Sequence, residues 1–354
     1  MKILVVPGDG IGPEITDASL SVLDAAARRA GLALELDTAP CGLASLERYG
    51  VTVREEDLAA ARAADGVILG PMSVNEYPAE ATGGRNVPAA FRTGLDLYAN
   101  IRPCYTRPGL PATAASMDLV FARENLEDFY TDRNMHRGSG ELMPTEDVAL
   151  AIGKITRQGS ERIARAAFDL AQRRERRTVT VIHKAPVLRM YHRLFLDTAR
   201  AVGAEYPDVT VDDLMIDAAA ALLVRTPERF DVILTTNMFG DILSDEAAEL
   251  AGSLGLAASL NHGDRHAVAQ AGHGSAPDIA GRDMANPASL LLSVGLLLDH
   301  LGARGGDDAA VQAGALLRGA VDAQLADPKL RTRDLGGSLG TKEFAAHLVE
   351  RVAA

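Results

Sequence analysis

Short apolar runs and amphipathic stretches alternate along this chain in a regular rhythm. Lys2 to Val6 reads as a strand, Gly8 to Gly12 as a glycine turn, and Pro13 to about Ala30 as an amphipathic helix with proline near its first turn. A strand over Leu32 to Leu36 follows. Then come helix Glu55–Ala64, strand Val67–Leu69, helix Asn86–Leu95 and strand Leu119–Ala122. The middle of the chain predicts a helix over Thr156–Arg174, strand Thr178–Ile182, helix Pro186–Val202, strand Val209–Ile216, a helix to Val224 and strand Asp231–Thr235. Beyond Gly252 the pattern reads as helical and glycine-punctuated, with a largely buried helix from Pro287 to Leu301. Strand and helix in alternation define an α/β fold with a largely parallel sheet. No internal repeat and no long low-complexity tract is present.

With 354 residues, 47% of them hydrophobic, the chain can build two lobes with a core each. A net charge of −12 gives a field that repels nucleic acid and anionic membranes, so neither is an expected partner. An anionic substrate must therefore meet locally concentrated arginine or lysine. No apolar run is long enough for a membrane span or the core of a signal peptide. Two cysteines, Cys41 and Cys104, are too few for a disulfide framework, and a reducing, cytoplasmic compartment is expected.

Gly8-Asp9-Gly10-Ile11-Gly12-Pro13 lies between a strand and a helix, as a dinucleotide-binding loop would. The fingerprint requires its third glycine where Pro13 stands, so a tight turn is the better reading. Asp241 and Asp245, four residues apart on a helix starting near Gly240, share one face at the carboxyl end of a strand. Paired carboxylates there suit a hard divalent cation, although helix-terminal acids are favoured by the dipole alone. Arg92, Arg102 and Arg123 each border an apolar segment, and three converging guanidiniums would suit a substrate with two or more carboxylates.

Taken together, the motifs are specific. Gly8–Glu14, Leu97-Tyr98-Ala99-Asn100-Ile101-Arg102-Pro103, Arg123-Glu124-Asn125, His183-Lys184-Ala185, Asn237–Asp245 and His273–Gly281 resemble the isocitrate/isopropylmalate dehydrogenase family over nearly the whole chain. The resemblance implies a two-lobed isopropylmalate-dehydrogenase-like fold rather than a standard Rossmann domain. Residues 1–99 plus 253–354 would form a cofactor-binding lobe, and 100–252 a dimerising lobe carrying metal and substrate sites. It further implies that Arg92, Arg102 and Arg123 hold the malate part of the substrate. Asp241 and Asp245 would bind Mg²⁺ or Mn²⁺ together with Asp217, a third metal carboxylate that comes, like the catalytic Lys184, from a partner subunit, so that the active unit is a homodimer.

By the same resemblance, Lys184, directly or through Asp217 and water, takes the proton from the substrate's C2 hydroxyl as hydride leaves for a nicotinamide. After CO₂ is lost, Tyr130 returns a proton to carbon. Ile11, His273, Gly274, Ser275, Ala276, Asp278 and Asn286 fall at the cofactor side of the pattern. Asp278 favours NAD over NADP, because a carboxylate accepts from ribose hydroxyls and repels a 2′-phosphate. The chain also departs from the family pattern. Pro186 stands where an asparagine is usual, Gln270 replaces an acidic residue, and Tyr191-His192-Arg193 replaces a small, polar stretch.

Gly83 to Phe91, which the resemblance implies is the segment that sets substrate choice, lacks both the leucines that would receive an isopropyl group and a serine placed as in isocitrate enzymes. Arg85, beside Asn86, is read as facing an anionic 3-substituent, a carboxylate or a phosphonate. The expected reaction is NAD-linked oxidative decarboxylation of an isocitrate- or homoisocitrate-like acid. Isopropylmalate and tartrate or malate are rival substrates. A non-catalytic regulatory subunit of a hetero-oligomeric dehydrogenase is the rival of another class, suggested by Pro186 and Gln270.

Overall fold

A computed structural model describes all residues, 1–354. Its strands, in chain order, are β1 (Lys2–Val6), β2 (Glu35–Thr38), β3 (Gly66–Leu69), β4 (Ala99–Tyr105), β5 (Asp118–Glu124), β6 (Glu141–Thr145), β7 (Val148–Ala151), β8 (Thr178–His183), β9 (Thr210–Met215), β10 (Val232–Thr235), β11 (Ala258–His262) and β12 (Ala267–Ala271). Two compact units emerge. One comprises Met1–Leu95, Arg107–Ala112 and Gly252–Ala354, the other Asp96–Thr106 and Thr113–Ala251. The expected boundary at 99/100 moves to 95/96, so that all of β4 belongs to the second unit.

In the first unit the strands run β2-β1-β3-β12-β11, parallel except for the β11–β12 hairpin. β1 is almost wholly buried, as its unbroken apolar run demands of a strand covered on both faces. Helix Gly12–Ala30 packs on Asp308–Leu325 and Thr341–Ala353, and Ala288–Gly305 lies on β11 and β12. Gly31 ends the first helix in the left-handed conformation, which a side chain would disfavour.

The second unit orders its strands β4-β5-β10-β8-β9, with β4 antiparallel to β5 and the rest parallel. Helices cover both faces. Ile163, Ala164, Ala167, Phe168 and Ala171 line one side of helix Arg157–Gln172 and meet Phe195, Leu196 and Ala199 of helix Tyr191–Gly203 over β8 and β10. On the opposite face, Leu223 of helix Ile216–Arg225 and Leu243 and Ala247 of helix Asn237–Leu250 pack on Phe121, Ile182 and Ile233. β6 and β7 form a separate two-stranded hairpin with exposed faces.

Several expectations shift. The region after Gly252 is not simply helical, because β11 and β12 lie there, each only five residues long and with few large apolar side chains to mark a strand. The second strand starts at Glu35, three residues late. The helix expected from Pro186 begins at Tyr191, after a succession of turns. The metal-side helix begins at Asn237, one turn before Gly240.

Candidate active site

Arg102 and Arg123 reach the same helix from adjacent antiparallel strands. On β4, residues Asn100, Arg102 and Cys104 share one face and are buried. Arg102 Nε donates to Asn100 Oδ1 (2.8 Å), and Nη1 donates to Ser244 Oγ (2.8 Å) and Asp245 Oδ1 (3.1 Å). Its Nη2 lies 3.1 Å from Asp241 Oδ1. Arg123, near the end of β5, is fully buried; its Nε donates to the backbone and side-chain oxygens of Asn237 (2.9 and 3.0 Å), and Nη1 is paired with Asp241. Burial lowers the Arg123 pKa, with Arg102 adding to this and Asp241 opposing it.

Tyr130 completes the cluster. Its hydroxyl accepts from Arg123 Nη2 (2.9 Å) and donates to Asp241 Oδ2. Asp241 and Asp245 thus project from successive turns of one helix onto the same guanidinium, as four-residue spacing requires. Burial raises the Asp245 pKa, which Arg102 partly offsets. Such a pair can bind a hard cation through oxygen, with positions left for substrate oxygens. Lys184 Nζ is hydrogen-bonded to Asp217, and that contact, the largest cause, lowers the Asp217 pKa. No three acidic, histidine or cysteine side chains of the chain converge as a metal cage.

In the first unit, Ile11 N donates to Ser275 O (2.8 Å), and Ser275 Oγ lies 2.8 Å from Ser73 Oγ. The glycine loop is a tight turn. Gly10 has φ of 58°, and a β-carbon there would fall 2.1 Å from Ser275 O. Gly10 therefore lets the turn press against Ser275 of the 273–278 loop. His273 Nδ1 is 2.9 Å from Gly274 O, while its Nε2 is inaccessible and without a partner, and burial lowers its pKa. Gly274 is open to solvent, Ala276 is left-handed and the Asp278 carboxylate is exposed. An orphaned imidazole nitrogen and an exposed carboxylate on the same loop are groups that could hold an adenosine moiety. Asn286, by contrast, spends its side chain on Ala288 N and Asp334.

Asn86 caps helix Val87–Gly94 by accepting from Ala89 N (3.1 Å). Arg92 sits on that helix, half-buried, and Arg85 is exposed, its carbonyl accepting from Thr52 Oγ1 (2.6 Å). Asn100, Ser244, Asn237 and Gly240 are parts of the site that sequence reasoning did not single out. Ser244 and Asn100 lie at helix and strand spacings from Asp241 and Arg102, and that periodicity could have flagged them.

A fold of paired α/β units, with arginines, a tyrosine and carboxylates converging at strand ends, belongs to the class of α/β dehydrogenases. A family model described as isocitrate/isopropylmalate dehydrogenase matches residues 2–348. The isocitrate/homoisocitrate dehydrogenase of Thermus thermophilus is 41% identical over 99% of this chain and 98% of that protein. The 3-isopropylmalate dehydrogenase of Methanothermobacter thermautotrophicus is 40% identical over the same shares. The crystal structure of isocitrate dehydrogenase from Methylococcus capsulatus superposes with a TM-score of 0.88 at 38% identity, covering 100% of this chain and 99% of that one. The chain belongs to the isocitrate/isopropylmalate dehydrogenase family.

Proposed function

We propose that this protein oxidises and decarboxylates a 3-substituted malate with an anionic 3-substituent, using NAD and Mg²⁺ or Mn²⁺. The observation that carries the reading is the convergence of Arg102, Arg123 and Tyr130 on Asp241 and Asp245. The relatives named for isocitrate, homoisocitrate and 3-isopropylmalate share the malate part and differ at the 3-substituent, which supports the reaction type.

Arg102 and Arg123, with Arg92, hold the malate carboxylates by paired N–H donation. A divalent cation bound by Asp241 and Asp245 supplies Lewis acidity at the substrate oxygens. Lys184, oriented by Asp217, would take the C2 hydroxyl proton in its neutral amine form, and NAD, when bound, would supply the hydride acceptor for the oxidation at C2. Tyr130 delivers a proton to C3 after CO₂ departs, and Arg123, which donates to the Tyr130 hydroxyl, favours the phenolate left behind. Asp278 and His273 take the adenosine end of NAD.

Asp217 and Lys184 come from a second copy of the chain, so the active unit is a homodimer. The exposed apolar side chains Leu142, Met143, Val148 and Leu150 on the β6–β7 hairpin, with Val224 and Ile242, support such a partner. A reducing compartment, the cytoplasm, is proposed on the buried, unbridged Cys41 and Cys104.

Arg85, exposed and with no hydrogen bond or ion pair from its guanidinium within the chain, is proposed to select the anionic substituent. The test is NADH formation with Mn²⁺ across isocitrate, homoisocitrate, isopropylmalate, tartrate, malate and phosphonomethyl-malate. Wild type should prefer an acid with an anionic substituent, and Arg85→Ala should lower kcat/KM for it about 10–100-fold, the size of a lost charge-assisted contact. Preference for isopropylmalate, or an unchanged order in Arg85→Ala, would reject the selection by Arg85. Silence across the panel with NAD and NADP would favour a regulatory subunit.

A further inference from the structure

Asp128 is a non-glycine residue held at φ of 73°, buried, two residues before Tyr130. A side chain in that backbone region is strained, and such strain persists only where surrounding contacts repay it. Its carboxylate makes two long-range contacts. Oδ2 accepts from Met238 N (2.8 Å), and Oδ1 accepts from the Tyr191 hydroxyl (2.8 Å).

Both contacts lead to the chemistry. Met238 N is one of the unsatisfied donors in the first turn of helix Asn237–Leu250, which carries Asp241 and Asp245. The helix's own N-cap, Thr236, makes no side-chain cap bond, so Asp128 caps it from 110 residues away, with the favourable sign for a helix N-terminus. Tyr191 opens the helix that follows the Lys184 turn. In that turn Val187 N and Leu188 N donate to Lys184 O, and His192 N donates to Leu188 O.

Neighbouring groups fit the same arrangement. A β-carbon on Gly153 would come within 2.4 Å of the Tyr191 hydroxyl oxygen, so glycine leaves that hydroxyl its niche. His192 stacks on Phe239, centroids 4.9 Å apart, two residues before Asp241. Tyr191 lies against Phe129, centroids 5.5 Å apart. Burial and the Asp128 carboxylate raise the Tyr191 pKa and keep its hydroxyl a donor.

We infer that Asp128 and Tyr191 form a positioning pair that fixes the Tyr130 loop, the Asp241/Asp245 helix and the Lys184 turn relative to one another. The inference rests on the dehydrogenase reading for the roles of Lys184, Tyr130 and the two aspartates. The geometry of the pair itself does not depend on that reading. In a dimer whose sites each borrow Lys184 from the neighbouring copy, the same pair ties together the two half-sites that one chain contributes.

Hydrogen exchange of the Met238–Asp241 amides, Mn²⁺ titration by electron paramagnetic resonance and steady-state kinetics on the full-length dimer test this. Asp128→Gly removes the carboxylate while suiting the left-handed backbone. It should speed exchange of those amides at least tenfold and weaken Mn²⁺ binding about tenfold, the range for a lost cap. Asp128→Asn, which keeps one accepting oxygen, should rescue part of both effects. Tyr191→Phe should lower kcat several-fold with KM for the acid unchanged, because it loosens the Lys184 turn and leaves the arginines alone. Unchanged exchange and Mn²⁺ affinity in both Asp128 variants would overturn the proposal. If Asp128→Gly does not fold, Asp128→Asn and Tyr191→Phe decide the same question. Should wild type oxidise none of the acids, the functional reading fails while the exchange rates still decide the pair.

Discussion

At the scale of single residues, Gly240 shows how tightly the site is built. A β-carbon there would fall 2.3 Å from Thr235 Oγ1 and 2.6 Å from Arg123 Cγ, and Arg123 is fully buried with no free path of retreat. Gly240→Ala should therefore displace Arg123 from Asp241 and Tyr130. A shift of this kind costs about 100-fold in kcat and roughly 1–3 kcal/mol in stability. Turnover and thermal melts of the variant check this, and wild-type values in both would show that Arg123 yields. Arg102 and Arg123 stand out in the sequence because charge at the margins of apolar runs does, and Asp241 and Asp245 because a four-residue spacing puts them on one helix face. Gly240 and Asp128 do not, since what they do depends on Arg123 and Met238, more than a hundred residues away in the chain.

Among the elements, β5 and helix Tyr191–Gly203 carry buried groups whose titrations oppose each other. Burial pushes His192 down to about 4, and it pushes Glu124 up to about 7 although backbone N–H groups of Leu126 and Glu127 donate to it. Below about 6.5 the unfolded chain binds a proton at His192 that the fold refuses, so stability falls as pH drops towards 4. Above about 4.5 the unfolded chain releases a proton at Glu124 that the fold retains, so stability falls as pH rises towards 7. His192→Phe should leave the Glu124 slope, with unfolding free energy rising on acidification from pH 7 to 5. Glu124→Gln should leave the opposite slope. Each contribution is at most about 1.4 kcal/mol per pH unit. Denaturant titrations at both pH values measure it, and parallel slopes in the two variants would disprove the assignment. Strong elements such as β1, β8 and helix Arg157–Gln172 were readable because their apolar periodicity reflects local burial. β4 was not, since Arg102 and Pro103 interrupt its apolar run, and neither was the alanine-rich β11–β12 hairpin.

For the whole molecule, the β6–β7 hairpin is a marginal structure by itself, since a two-stranded ribbon with exposed apolar faces needs something to pack against. Met143→Asp combined with Leu150→Asp should convert a dimer to monomers in sedimentation velocity and abolish turnover along with it. An active monomer would contradict the shared site. The sequence by itself determined the α/β class and the family, because periodicity and motif chemistry are local or near-local properties, whereas the assignment of Arg107–Ala112 to the first unit was not legible in it. It also determined the acidic balance of the chain, with a net charge of −12. Only the tertiary structure decided that Arg102 and Arg123 meet Tyr130 on one pair of carboxylates, and that a strained aspartate 110 residues upstream caps their helix. Those contacts join strands, loops and helix ends that the chain brings together only on folding, where direction and distance in space replace spacing along the sequence.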